Sequence, residues 1–436
     1  MKIILLLSLA VSSLSGAAIA PLKFSFGSAP APNGATAVAP GTLFSKDSAF
    51  GFDDGSALTG GEHSVTSDKP FYFSARVPAE GNYRVTVTVG DAKAASVTTI
   101  KAELRRLMVE KIETAPGKFA TVSFIVNTRT PTIPALGDIK AGAVRLKDRE
   151  KTGEARAWDD AITLEFNNAH PAVSAIAIEK VEVPTVFLIG DSTVCDQARE
   201  PFSSWGQSLP RWFKPGIAIA NHGESGESYG GSIGERRLDK MMTLMKPGDY
   251  LIMQMGHNDQ KERGEGKGPF LNYKTNIKIH VDAARARGGI PIVVSPMERR
   301  NFNDDGTFKP TLSDYAEGAR QAAKELGVAF IDLNAMSIPF YKALGPDKAY
   351  LAFAGTGLKR DATHHDNYGS YELAQCIVQG IRDNQLPLAQ FIADDFKGFD
   401  PAHPDDVDAF ALPPSPNATT QRPLGDEPAA PAANAK

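Results

Sequence analysis

Apolar residues follow two rhythms along this chain. Up to about residue 182 they alternate with polar ones. Asn82-Tyr83-Arg84-Val85-Thr86-Val87-Thr88-Val89 keeps period two, the pattern of a strand with one buried face. Shorter stretches at 71–77, 121–126, 162–166 and 173–178 follow the same pattern, and Glu80-Gly81-Asn82 and Asp53-Asp54-Gly55 supply turns between such segments. Short strands separated by turns predict a β-sandwich, jelly-roll-like, over residues 21–182.

After Pro184 the rhythm changes. Apolar runs at 186–189, 217–220, 250–255, 290–294 and 328–333 predict five strands buried on both faces. Segments of helical period at 233–245, 273–286 and 313–326 separate them, and a last helix is predicted over 368–384. Strand alternating with helix predicts an α/β domain with a parallel, doubly wound sheet over 183–398. From 399 to 436 the chain is rich in Pro and Ala and poor in core-forming residues, so a disordered tail is predicted.

The first twenty residues change the picture of where the protein works. Lys2, an apolar stretch at 3–10 and the small residues Gly16-Ala17-Ala18-Ile19-Ala20 predict a secretory signal peptide over 1–20. Pro21 disfavours cleavage directly before it, so the mature chain is expected to begin between Ala18 and Pro21 and to be exported, to the periplasm or beyond the cell. No later stretch is long and apolar enough for a bilayer span, so no membrane association is expected after signal removal. The net charge of −4 and the lack of a long basic run argue against a nucleic-acid partner. Only Cys195 and Cys376 are present, which leaves both one bridge and two buried thiols open.

Candidate chemistry gathers where strands end. Gly190-Asp191-Ser192-Thr193 follows the first apolar run after Pro184, at the edge where open α/β sheets place ligands. A serine hydroxyl is a poor nucleophile until a base takes its proton. Asp361-Ala362-Thr363-His364 offers His364 as that base and Asp361 to orient it, their spacing bringing both to one side of a turn. Gly256-His257-Asn258-Asp259 follows the 250–255 strand, and the Asn258 amide can donate to an oxyanion. The segment 221–228 follows the 217–220 strand and carries Gly223 and Gly226, whose backbone N–H groups can approach a substrate closely. Cys195, three residues past Ser192, is a rival nucleophile, disfavoured by Asp191 and Asp196 on either side.

Ser, Gly, Asn, then Asp and His, in this order, resemble the four sequence blocks of SGNH (GDSL-type) hydrolases, over residues 185 to about 385. GDST, Ser204-Trp205-Gly206-Gln207, GHND and DATHHDNYG resemble more narrowly the rhamnogalacturonan acetylesterase group, bacterial members with a β-rich N-terminal domain in particular. The resemblance implies a three-layer α/β/α fold and a catalytic Ser192, Asp361 and His364. It implies an oxyanion hole of Ser192 N–H, Gly226 N–H and the Asn258 side chain, with no metal and no cofactor. It implies deacetylation of plant cell-wall polysaccharide such as pectin, the acetylated polysaccharide or oligosaccharide being the partner. Acetylxylan esterase, GDSL-type lipase and a noncatalytic carbohydrate-binding protein stand as alternatives. One departure is Glu227, where fungal members often carry Arg.

Trp205, Arg299 and Arg300 are candidate substrate contacts, by stacking on a sugar or by pairing with uronate carboxylates. Core packing for the tryptophan and a solvated surface for the arginines compete with those roles. His365 lies outside the Asp-x-x-His spacing, so a structural or surface role is expected for it, and His222, His257 and His280 lack zinc-ligand spacing, so packing or turn roles are expected for them. All five catalytic candidates follow residue 185. A chain starting near Val183 is therefore expected to retain activity on small esters if it folds.

Overall fold

The structure is a computed structural model that describes residues 20–356 and 359–423. Apart from Ala20, the predicted signal peptide lies outside the described residues.

Residues 22–180 form two sheets around one apolar core. The first runs in the order Ala120–Thr128, Gly81–Val89, Ala172–Lys180, Leu22–Phe26, Thr36–Val38, and the second Phe50–Phe52, Phe71–Arg76, Ala161–Asn167, Ser96–Ala102, Arg106–Thr114. Period-two patterning does the sorting. Along Gly81–Val89, Tyr83, Val85, Val87 and Val89 are all buried while the residues between them are half-buried. Phe24 and Phe26 of the same sheet join them, and Phe52, Phe71, Phe73 and Phe166 face them from the second. The five strands legible in the sequence are present. Those at Ser96–Ala102 and Arg106–Thr114 were not, because their alternation is broken by Lys101 and Arg106, polar residues buried against the second half of the chain.

The second half is a parallel five-stranded sheet: β1 (Thr185–Gly190), β2 (Ala218–Asn221), β3 (Tyr250–Gln254), β4 (Ile290–Val294) and β5 (Ala329–Ile331), in the order β2-β1-β3-β4-β5. Side chains alternate between two cores. Phe187, Ile189, Leu251, Met253 and Val293 pack against helices Arg237–Leu244, Asn272–Ala286 and Ser313–Leu326. Val186, Leu188, Ile252, Ile292 and Val294 pack against Leu333–Lys348 and Asn367–Asp383. The result is the expected three-layer α/β/α arrangement. The helix predicted at 233–245 is two pieces, Tyr229–Gly234 and Arg237–Leu244, broken at Arg236, whose φ is +64°.

The halves are joined by buried polar contacts. Arg106 donates from Nε to Asp196 Oδ2 at 2.6 Å, with both side chains almost fully buried. Arg105 Nη1 donates to Gln197 O (3.0 Å) and Phe202 O (2.8 Å). Leu107 belongs to the apolar core on the Asn367–Asp383 side.

The tail departs from expectation as far as residue 423; residues 424–436 lie outside the described residues. Residues 399–423 run along both halves in defined contacts. Lys101 Nζ donates to Pro413 O, Ser415 Oγ donates to the Glu165 carboxylate, and Glu200 exchanges backbone hydrogen bonds with Asn417 and Thr419. Phe410 rests on Tyr368 and Tyr371. Composition reports only whether a segment can build a core of its own. This segment instead docks on a core already formed.

Candidate active site

Ser192 sits two residues beyond β1, on a turn in which Val194 N and Cys195 N both donate to Asp191 O at 2.9 Å. Asp191 Oδ1 accepts from Thr193 N (2.9 Å) and Thr193 Oγ1 (2.7 Å), and its Oδ2 lies 3.2 Å from His257 Nδ1. The Ser204-Trp205-Gly206-Gln207 block braces this turn. Ser204 Oγ donates to Val194 O at 2.9 Å and caps the short helix Trp205–Ser208 by accepting from Gln207 N. Gly206 is required there, since a Cβ would lie 2.2 Å from Val194 O.

His364 reaches Ser192 from the hairpin Phe353–Thr356/Lys359–His365. Strand register breaks within this hairpin, and the Asp361 carboxylate closes the excursion by accepting from Thr363 N (2.7 Å) and His364 N (3.1 Å). That local turn is what brings positions 361 and 364 together. His364 Nδ1 donates to Asp361 Oδ2 at 2.9 Å, and Ser192 Oγ donates to His364 Nε2 at 3.0 Å. An ionised carboxylate only accepts, which places the imidazole proton on Nδ1 and leaves Nε2 as the acceptor. Burial alone would raise the Asp361 carboxyl. The His364 hydrogen bond and charge, with the two backbone donors, overcome it and hold the group at about 2. Arg422 Nε also contacts Asp361 Oδ2, at 3.0 Å. Phe202 packs edge-on against the His364 ring.

The other candidates converge on the same sheet edge. Gly226 has φ +79°, a backbone conformation that favours glycine. Its loop lies against the Ser192 turn, where Glu224 N donates to Gly190 O at 3.0 Å. Asn258 Nδ2 donates to Glu227 O at 2.9 Å, using one of its two amide hydrogens. Gln197, which sequence reasoning missed, donates from Nε2 to Ser192 O at 2.7 Å and contacts Ser225 Oγ. Its closeness to the serine was visible, but nothing in the sequence shows where its amide points.

The substrate candidates divide. Trp205 is 0% exposed, donates from Nε1 to Gln254 Oε1 at 2.8 Å and belongs to the core, so it cannot stack on a sugar. Arg299 lies beside the triad hairpin, with Nε donating to Thr363 Oγ1 at 3.2 Å and Nη1 to Gln260. Arg300 turns towards the Phe353 ring. Cys195 and Cys376 are both buried and unbridged. Burial, then Glu224, pushes the Cys195 thiol well above its ordinary range, the opposite of what a thiolate nucleophile needs.

His365 is a packed histidine. Its Nε2 shares a 2.8 Å hydrogen bond with Tyr341 Oη, and its ring lies 4.4 Å from that of Phe353. Burial, with His364 and His257 nearby, lowers it to about 3 despite the opposing charge of Asp361. Its stabilising contribution is therefore complete above about 6.5 and is lost as pH falls from there to about 3, at up to roughly 1.4 kcal/mol per pH unit. His365→Gln should flatten this acid loss, even if packing loss lowers stability at pH 7. Thermal melts from pH 7 to 4 check it, and parallel pH slopes for both proteins would contradict it. His280 is likewise lowered, to about 4, by burial, and its Nε2 bonds Ser232 Oγ. Among the described residues no three His, Cys, Asp or Glu side chains are grouped to hold a metal ion.

A hydroxyl, an imidazole and a carboxylate in one hydrogen-bonded chain, at the carboxyl edge of a parallel sheet, define the geometry of a serine hydrolase. Residues 188–365 match the GDSL-like lipase/acylhydrolase family. Over 215 residues the chain is 35% identical to rhamnogalacturonan acetylesterase RhgT of Bacillus subtilis (strain 168), covering 47% of this chain and 91% of RhgT. It is 31% identical over 212 residues to the probable rhamnogalacturonan acetylesterase YesY of the same organism, covering 48% of this chain and 96% of YesY. The crystal structure of Bacillus subtilis YxiM superposes with a TM-score of 0.46 at 20% identity, covering 84% of this chain and 99% of that one. The chain belongs to the GDSL-like lipase/acylhydrolase family and is a hydrolase acting on ester bonds.

Proposed function

We propose that this protein is an exported carbohydrate esterase that removes O-acetyl groups from plant cell-wall polysaccharide, most of all rhamnogalacturonan. The observation that carries the chemistry is the unbroken chain from Ser192 Oγ through His364 to Asp361. Ser192 Oγ attacks the acetyl carbonyl while its proton passes to His364 Nε2. Asp361 holds the ring and stabilises the imidazolium. The oxyanion is met by the backbone N–H of Ser192 and Gly226 and by the free amide hydrogen of Asn258. His364 returns the proton to the departing sugar oxygen. A water then attacks the acyl-serine, gives its proton to His364, and acetate leaves with Ser192 restored.

The substrate assignment is supported by the names of RhgT and YesY and by Arg299, a fixed cation beside the triad hairpin that can pair with a uronate carboxylate. Export rests on the leader-like residues 1–20. Acetate release is to be measured on acetylated rhamnogalacturonan, homogalacturonan and xylan. The highest kcat/KM is expected on rhamnogalacturonan. A preference for xylan would reassign the substrate. A preference for long acyl chains over acetate would make the enzyme a lipase. No turnover of p-nitrophenyl acetate would leave only carbohydrate binding.

A further inference from the structure

The Gly226 loop carries two buried acidic residues, Glu224 and Glu227, which the ester chemistry does not use. Their partners come from residues 131–158, an arm of the N-terminal half that lies outside its two sheets. Arg149 Nε donates to Glu224 Oε1 at 2.8 Å, and its Nη2 reaches the same oxygen and Ser225 O. Lys147 Nζ donates to Ser225 O at 2.9 Å and pairs with Glu227 Oε1. Two cations thus grip the residues on both sides of Gly226.

The arm is itself fixed. Glu150 accepts from Lys147 N (2.9 Å), from Trp158 Nε1 (2.9 Å) and from Arg237 Nη2 (2.6 Å), the last from a helix of the hydrolase half. On its inner side the loop touches the other oxyanion elements. Gln197 bridges Ser225 Oγ and Ser192 O, and Glu227 O accepts from Asn258. The arm is the outer wall of this loop and the nucleophile turn its inner wall.

We propose that Lys147 and Arg149 are positioning residues through which the N-terminal arm sets the Gly226 amide against Ser192. This rests on Ser192 being the nucleophile, as proposed above. The Glu227 carboxylate is turned to the arm. Removing Lys147 takes from the buried Glu227 carboxylate its hydrogen-bonded cation and leaves only the charge of Arg237 to oppose burial, which is costly enough to move the loop or protonate the group. The amide of Gly226 moves with the loop, and a misplacement of about 1 Å at a reacting centre costs on the order of 10²-fold in rate.

The test uses the full chain and p-nitrophenyl acetate. Lys147→Met should lower kcat by about 10- to 100-fold, with KM held within about twofold. Phosphonylation of Ser192 by a p-nitrophenyl phosphonate, which develops the same oxyanion, should slow in parallel. Lys147→Glu should be poor, and the pair Lys147→Glu/Glu227→Lys should recover kcat relative to it. If Lys147→Met fails to fold, Arg149→Lys serves instead. It keeps the charge, loses the fork on Glu224 and Ser225 O, and should show the same kcat loss. A folded variant of either kind with wild-type kcat and phosphonylation overturns the proposal. Ser192→Ala is assayed alongside. Should it retain turnover, the nucleophile assignment falls and this proposal falls with it. If it is inactive while Lys147→Met is not impaired, only the arm's role falls.

Discussion

Ser192→Ala should abolish ester turnover nearly completely, while Cys195→Ala should keep most of it. The two positions are three residues apart on one turn, so sequence distance does not separate them. Their surroundings do. Ser192 Oγ is hydrogen-bonded to a base that is itself oriented by a carboxylate. The Cys195 sulfur faces Ser225 Oγ and Gln197 Nε2, neither of which is a base, and burial opposes its ionisation. Where a serine acts as one unit with its histidine, losing either costs about 10⁶ in kcat, with residual catalysis from oxyanion contacts and binding. His364→Ala should therefore match Ser192→Ala within about tenfold. Asp361→Asn should cost less, about 10⁴, by favouring the wrong tautomer. Steady-state kinetics on p-nitrophenyl acetate decide the matter. An inactive Cys195→Ala beside an active Ser192→Ala would reverse the assignment.

What the sequence revealed of this site, and what it hid, divides along physical lines. Local features were legible. The strand ending at Gly190, the turn carrying Ser192 and the Asp361–His364 pairing all depend on neighbours a few residues away, so spacing and patterning report them. The parallel sheet was legible because its inner strands are buried on both faces and therefore run largely apolar. Trp205 was ambiguous in the sequence because an aromatic at the start of a helix fits a core and a sugar platform equally well, and only its complete burial, with Nε1 bonded to Gln254, distinguishes them.

Contacts between distant segments were not legible. Glu224 and Glu227 look like solvated surface charges in a Gly- and Ser-rich loop. Their burial is visible only once Lys147 and Arg149 are seen to cover them. Asp196 gave the same misleading picture, since its cation, Arg106, lies ninety residues away at the turn of a hairpin. Polar residues buried by pairing defeat patterning, because the pattern records side-chain chemistry and not the partner that makes burial tolerable. The tail was misread for a related reason, its contacts being mainly single side chains and backbone groups with no periodic face.

A chain beginning near Val183 should consequently lose small-ester activity, contrary to the separable unit that residue positions alone suggest. Deleting the N-terminal half does not strand Glu224, Glu227 and Asp196 as buried charges. It exposes them to water, so the penalty of an orphaned ion does not arise. The loss is one of position. The Gly226 loop is freed from Lys147 and Arg149, and the nucleophile turn is freed from Arg106 on Asp196 and from Arg105 on the Gln197 carbonyl. Gln207, in the block bracing that turn, loses the Leu104 carbonyl that its amide reaches at 2.6 Å. The core that held Leu107 opens to solvent, an apolar exposure that favours aggregation. Two misplaced oxyanion elements should each cost as much as a lost donor, about 10²–10³ in kcat. A soluble truncated chain with native-like circular dichroism should therefore turn over p-nitrophenyl acetate at least about 10²-fold more slowly than the full chain. Full activity in that folded fragment would show that the parallel-sheet half holds its own oxyanion site and that the arm only covers it.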